Sequence, residues 1–499
     1  MSQIKKLAGQ TAIYGLSSIV GRLLNYLLVP LYTRIFDPAQ YGVVSEFYAI
    51  VTFLIVLYTY GLETALFRFS SKSEEKEKVY SNSLFMILFS SSLFSGVLIL
   101  FSSKISNALG YPSNANYIIW FALILAFDAL TALPFARLRQ EGRAKKFAFL
   151  KLLNIFSNIV FNLFFLLYLP VICKANPQSI FNTIYDPTIG VGYVFIANLI
   201  ASGVTFIFLV KEYSKIVFPI DKVLIKEIII YSIPLLIAGF AGMINETLDR
   251  AILKYLTPNK ATAMYQLGIY SACYKLSILL TLFVQTFRYA SEPFFFSNQN
   301  KEGSKELYAK VMDYFVFICS LIFLFIMLYL DIIKGFIGKQ FHEGLFVVPI
   351  LLMANLFLGI YLNLSIWYKL SGQTKYGAWF SMIGALITIS MNFALIPIYG
   401  YLGAAWATLI CYGAMMIMSY WIGQKFYPIP YHVKNNLLFI VGAVVVWVVS
   451  KYSLELLPIS ISAKINSSTG IVFAFHSFLL LLYIGFFWKR LNPNLKFNK

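Results

Sequence analysis

The chain has 499 residues, of which 59% are hydrophobic and only 12% charged, and its 40 Lys and Arg against 21 Asp and Glu give a net charge of +19. A water-soluble domain of this size does not need so much apolar surface to fill one core, so an ordinary soluble enzyme is excluded and lipid is the expected solvent. The four cysteines, Cys173, Cys273, Cys319 and Cys411, stand singly, which excludes a disulfide framework or a CxxC site.

A helix that crosses a bilayer needs about 20 apolar residues. Such stretches fall at 12–32, 43–62, 82–101, 117–138, 147–170 and 189–210, then at 228–248, 265–287, 311–330, 346–367, 377–398, 402–423, 435–450 and 470–488. The expectation is an all-α membrane protein of about fourteen spans. Strings such as Leu321 to Leu330 and Val441 to Val449 are apolar on every side, unlike the alternating strands of a barrel. The first stretch is too long for a signal-peptide core and contains Arg22, so it is expected to remain as a helix.

The basic residues sort by side. Arg137, Arg139, Arg143, Lys145, Lys146 and Lys151 cluster at the connection between the fourth and fifth stretches, whereas Lys174 stands alone on the next loop. This asymmetry places both termini in the cytoplasm. Basic loops of this kind set orientation and meet anionic headgroups, and no soluble domain carries the charge to nucleic acid.

The chain repeats itself. Gly42 to Tyr48 matches Gly268 to Tyr274 in its Gly, Ser and Tyr positions. The loop Arg139 to Lys145 resembles Lys369 to Lys375 with the same Gly-to-Lys spacing, Asn162 then falls on Asn392, and Gly192 answers to Gly403. Because the copies are six helices apart, both enter the membrane from one side, and a pseudo-twofold axis along the membrane normal is expected between them. The resulting division is an N-terminal lobe at 1–210, a cytoplasmic linker at 211–227, a C-terminal lobe at 228–423, and two appended helices with a cytoplasmic tail at 424–499.

Charged side chains at mid-bilayer are costly, so the few that fall there call for a functional or a structural explanation. Ser18, Arg22 and Asn25 share one helical face, as do Gly242, Asn245, Glu246 and Asp249, with Asn25 answering to Asn245. The stretches at 43–62 and 265–287 carry Gly42, Ser45, Glu46 and Ala49, and Gly268, Ser271, Ala272 and Lys275, at the same spacing. Four polar stripes in lipid must face protein or water, so they are expected to line a central cavity made positive by Arg22 and Lys275. Either those two bind an anion such as pyrophosphate, or they form buried ion pairs with Asp128 or Glu246. Glu46, Asp128 and Glu246 could equally couple transport to an ion or hold structural partners. Arg34, Arg68, Arg250, Lys254 and Arg288 lie near helix ends, where snorkelling suffices to explain them, with a gate or entry role as the alternative. Asn154, Asn158 and Asn162 recur every four residues and are expected to make interhelical hydrogen bonds.

No GxxxxGK[ST] loop for ATP is visible, and His342, His432 and His476 lack metal-ligand spacing, so neither a cofactor nor a metal is expected.

Gly15 to Tyr48 with its Pro38-Ala39-Gln40-Tyr41-Gly42 turn resembles the polysaccharide-transporter branch, which includes O-antigen flippases, of the multidrug/oligosaccharidyl-lipid/polysaccharide exporter superfamily. So do Asp249 to Leu253 leading to Gly268-Ile269-Tyr270-Ser271, and Asn392 to Pro397 followed by Gly403-Ala404-Ala405. The resemblance implies two six-helix lobes forming a MATE-like V in the bacterial cytoplasmic membrane, passing undecaprenyl-pyrophosphate-linked oligosaccharide outward by alternating access. It also implies a non-enzyme with a cationic cavity for the pyrophosphate, in keeping with the placement of Arg22 and Lys275 but without fixing those positions. The substrate-binding set expected from the residues is Arg22, Asn25, Asn245, Arg250 and Lys275, with membrane lipids and the polysaccharide polymerase machinery as further partners. A multidrug or lipid II exporter of the same superfamily is the alternative, and a membrane O-antigen polymerase or ligase a more distant one.

Overall fold

The structure is a computed structural model, and it describes residues 20–21, 23–24, 26–72, 75–176, 178–215, 220–455 and 469–491. All regular structure among the described residues is helical. The principal helices are α1 (Leu28–Ile35), α2 (Pro38–Thr59), α3 (Leu62–Lys72), α4 (Lys76–Leu100), α5 (Ala115–Gln140), α6 (Ala144–Leu163), α7 (Gly192–Leu209) and α8 (Lys222–Leu256). They continue as α9 (Lys260–Leu276), α10 (Ile278–Asn298), α11 (Ser304–Leu328), α12 (Val348–Leu364), α13 (Lys375–Tyr399), α14 (Tyr401–Phe426), α15 (Val433–Glu455) and α16 (Thr469–Leu491).

Among the described residues, twelve helical segments are long and apolar enough to cross a membrane, thirteen if the bent pair α9–α10 is one span. These match the expected stretches from 43–62 onward, while about half of 12–32 lies outside the described residues. The protein is thus a multi-pass membrane protein. Many large apolar side chains point outward, among them Leu100, Ile398 and Trp421, as a lipid-facing surface requires.

Two features depart from a simple reading of the apolar stretches. The stretch at 265–287 is broken at Ser277, where α9 and α10 meet at 51°. The Asn355 amide donates to the Ser277 hydroxyl at 3.1 Å, bracing the break from α12. The expected linker at 211–227 is partly helical: a short 3-10 segment, Val210–Lys215, follows α7, and α8 already begins at Lys222. Asp221 precedes α8, and its carboxylate accepts the backbone N–H groups of Val223 and Leu224 and the Lys78 ammonium. Those donors, first the Leu224 N–H and then Lys78, hold the Asp221 carboxyl below its ordinary range.

The contacts divide the chain into two compact units, Met1–Lys254 and Tyr255–Lys499. In the first, Tyr58, Leu62, Leu84, Leu125, Leu133 and Ile228 form a buried core, so α8 packs with α2 to α5. Gly61 and Gly239 let it approach: a Cβ on Gly61 would stand 2.7 Å from Leu235, and one on Gly239 3.0 Å from Val56. Lipid supplies no hydrophobic drive between helices, so such close van der Waals fits carry the packing. In the second unit α12, α13 and α14 pack around Trp367, Phe380 and Tyr412. Helices α15 and α16 lie on α11, where Phe317 stacks on Tyr483 at 5.9 Å and the Tyr483 hydroxyl donates to the Phe439 carbonyl at 2.8 Å.

The internal repeat has local structural causes. Gly142 and Gly372 both end a helix with φ +70°, a left-handed conformation that favours glycine. Asn162 and Asn392 are fully buried, and each donates to a carbonyl four residues earlier, Asn158 and Thr388, at 2.7 Å. Gly192 lies under the rings of Trp120 and Tyr117, while Gly403 lies against the Leu395 backbone. The Pro38 turn is a capping box, with Asp37 accepting the Gln40 N–H at 2.8 Å and Gln40 accepting the Asp37 N–H in return.

Candidate functional site

Glu46 lies on α2, two turns in from its capped start, and is fully buried. Both its oxygens lie 3.1 Å from the Lys254 ammonium, and Oε2 accepts the Tyr111 hydroxyl. Lys254 also donates to the Leu109 carbonyl at 2.6 Å and stands 4.3 Å from the centre of the Tyr111 ring. This cluster joins α2, the turn before α5, and the end of α8. Glu46, for which the sequence leaves ion coupling and a structural partner both open, is thus ion-paired with Lys254.

On α8, Asn245 and Asp249 are buried, while Glu246 is exposed. Asp249 accepts both the backbone N–H of Arg250, at 2.7 Å, and its Nε, at 3.4 Å, and the Arg250 guanidinium turns back to the Glu246 carbonyl. The Arg250 charge is therefore offset by its neighbour. Arg22 and Asn25 lie outside the described residues. Lys275, in the second unit, occupies the last turn of α9 immediately before the break at Ser277, where the carbonyl end of a helix favours a cation.

The polar asparagines of α6 act between helices. Asn154 donates to the Ala201 carbonyl and the Thr205 hydroxyl on α7, and Asn162 accepts the Tyr32 hydroxyl at 2.9 Å.

The first unit also holds a half-open cavity of about 420 Å³. Asp128, Thr131 and Phe135 on α5, Lys151 and Asn154 on α6, and Thr59 at the end of α2 are among the residues that line it. Asp128 accepts the Ser202 hydroxyl at 2.7 Å. Arg139, at the last turn of α5, pairs with Glu63 on α3, both lining the same cavity. This ion pair recurs in the second unit. Lys369, which answers to Arg139 in the repeat, donates to Glu292 on α10 at 2.6 Å and shares a smaller pocket with Arg288, Ser291, Asn363 and Ser365. The cation at this loop position thus reaches a glutamate in each half, Glu63 in one and Glu292 in the other.

His432 Nδ1 lies 2.6 Å from the Asp313 carboxylate. All four cysteines are buried thiols, none joined in a disulfide. Among the described residues, no three His, Cys, Asp or Glu side chains gather as a metal site would need.

The chain matches the family described as "Polysaccharide biosynthesis protein" over residues 7–299, more than half of its length. It is 27% identical over 209 residues to the capsular polysaccharide biosynthesis protein CapF of Staphylococcus aureus; the match covers 40% of this chain and spans about half, 51%, of that relative. Among solved structures it resembles the lipid II flippase MurJ in an inward closed conformation, with TM-score 0.71 at 15% identity over 96% of this chain and 98% of that one. It also resembles an inward-facing MATE family transporter of the MOP superfamily, with TM-score 0.64 at 15% identity over 81% and 94%. A Pyrococcus furiosus transporter of that superfamily matches with TM-score 0.59 at 14% identity over 83% and 95%. The all-helical, multi-span architecture is therefore the fold these transporters share, and the chain belongs to the polysaccharide biosynthesis protein family.

Proposed function

We propose that the protein is a flippase, moving undecaprenyl-pyrophosphate-linked oligosaccharide units across the bacterial cytoplasmic membrane for surface polysaccharide synthesis. The observation that carries this reading is the conjunction of a polysaccharide biosynthesis family with a fold shared by a lipid II flippase and MATE transporters. The relative CapF is named for capsular polysaccharide synthesis, which supports a glycan rather than a drug as cargo. Both termini are cytoplasmic in this reading, and the halves at 1–210 and 228–423 alternate access by rocking, with the cargo binding the two states unequally.

Arg22, Asn25, Asn245, Arg250 and Lys275 form the proposed substrate-binding set, suited to a pyrophosphate because guanidinium forks and ammonium groups match its oxygens. Of the carboxylates, Asp128 is the strongest coupling candidate: it borders a cavity and is held by the neutral Ser202, whereas Glu46 is tied to Lys254. Glu246 remains a second candidate, being exposed on α8. The polymerase machinery would take up the delivered units.

The test is deletion followed by analysis of the lipid-linked sugars. Complete oligosaccharide units held on the cytoplasmic leaflet, with no polymer outside, are expected. Incomplete units, or complete units already outside but unpolymerised, would point instead to an enzyme of assembly.

A further inference from the structure

The polar cavity of the first unit holds a cation that the fold does not neutralise at close range. Lys151 is half-buried on α6, about 10 Å along the helix from its start by the rise of 1.5 Å per residue. Its ammonium stands 4.1 Å from the centre of the Phe135 ring, and that ring meets Phe147 edge-on at 5.3 Å. No carboxylate makes an ion pair with it among the described residues: its electrostatic neighbours are Asp128, which attracts it, and Arg139, which repels it. Asp128 is itself held by Ser202. Arg139 lines the same cavity, where it pairs with Glu63, and its guanidinium adds a second positive charge to the wall. Hydroxyl and amide groups of Thr59, Thr131 and Asn154 complete the wall.

We propose that this cavity, within the first unit and distinct from the five-residue set above, binds a phosphate-bearing anion between Lys151 and Arg139. An anion there relieves the repulsion between the two cations and draws charge-assisted hydrogen bonds from both. The 420 Å³ of space admits a phosphate or diphosphate with its water. The phenyl pair of Phe135 and Phe147 leaves one wall apolar, suited to the carbon attached to a phosphate ester. Two sources share this chemistry: a soluble diphosphate, and the headgroup of an anionic lipid. The site does not depend on the cargo being a lipid-linked glycan.

The purified full chain, in detergent, is titrated with inorganic pyrophosphate by calorimetry, beside Lys151→Met, Lys151→Arg and Asp128→Asn. In a parallel arm the same proteins are released from nanodiscs of phosphatidylglycerol or phosphatidylcholine and bound lipid is counted by native mass spectrometry. Loss of about 10-fold or more in pyrophosphate affinity for Lys151→Met, with Lys151→Arg retaining it and Asp128→Asn equal or tighter, supports a soluble source. Selective loss of phosphatidylglycerol from Lys151→Met supports a lipid source. Lys151→Met binding both probes like the unaltered protein overturns the proposal, as does weaker anion binding in Asp128→Asn. If Lys151→Met does not fold, Lys151→Gln takes its place, and Asp128→Asn supplies its sign independently.

Discussion

Replacing Lys254 by methionine removes the cation that faces the fully buried Glu46 carboxylate at two distances of 3.1 Å. Breaking a buried pair from one side costs ~3–5 kcal/mol, because the surviving charge keeps its desolvation penalty. The Lys254 side chain is 17% exposed, so solvent screening trims the expected cost to roughly 2–4 kcal/mol. Glu46→Gln leaves an ammonium that still meets the Leu109 carbonyl and the Tyr111 ring, and is expected to cost about 1 kcal/mol. The double variant Lys254→Met with Glu46→Gln removes both charges, so its cost should fall short of the sum of the single ones by about 1–2 kcal/mol. Reversible unfolding in mixed micelles of detergent and denaturant gives the three values. Additivity to within about 0.5 kcal/mol would refute the claim that this pair fastens the end of α8 to α2.

The two repeat glycines should differ in tolerance. A Cβ on Gly403 would stand 2.4 Å from the Leu395 carbonyl oxygen, and backbone cannot yield, so Gly403→Ala is expected to cost about 2–3 kcal/mol in the same unfolding assay. Gly192→Ala meets ring atoms of Trp120 and Tyr117 at 2.7 and 2.8 Å, which can turn, for about 1–2 kcal/mol; the reverse order would contradict the packing described. Asp221 offers a pH test: its carboxyl is depressed in the fold, so its stabilisation is present at neutral pH and is lost as pH falls below about 4. The difference in unfolding temperature between the unaltered protein and Asp221→Ala should close below that pH, and a gap persisting in acid would tell against the capping role.

The repeat was legible in the sequence wherever backbone geometry or burial dictates one residue type. Gly142 and Gly372 recur because a left-handed helix end favours glycine, and Asn162 and Asn392 because a buried amide can bond back to its own helix. The apolar stretches were legible because bilayer thickness fixes their length, and the described spans follow them from α2 to α16. The break at Ser277 was not, since neither Pro nor Gly marks it and its brace, Asn355, is 78 residues away. Glu46 and Lys254 are 208 positions apart and belong to different halves of the repeat, so no local periodicity joins them. The cavity around Lys151 escaped for a related reason: Lys151 reads as the end of a basic loop, and only the packing of α5 against α6 and α7 turns it inward with Asp128.

The most direct measurement is transbilayer movement itself. The purified protein is reconstituted into proteoliposomes that carry undecaprenyl-pyrophosphate oligosaccharide on one leaflet, and the sugar is scored by its accessibility to an added glycosidase. Exposure of the sugar on the opposite leaflet that depends on the protein, and that slows when Lys275 or Arg250 is neutralised, is the predicted result. Sugar that stays on its original leaflet in the presence of folded protein would contradict the account.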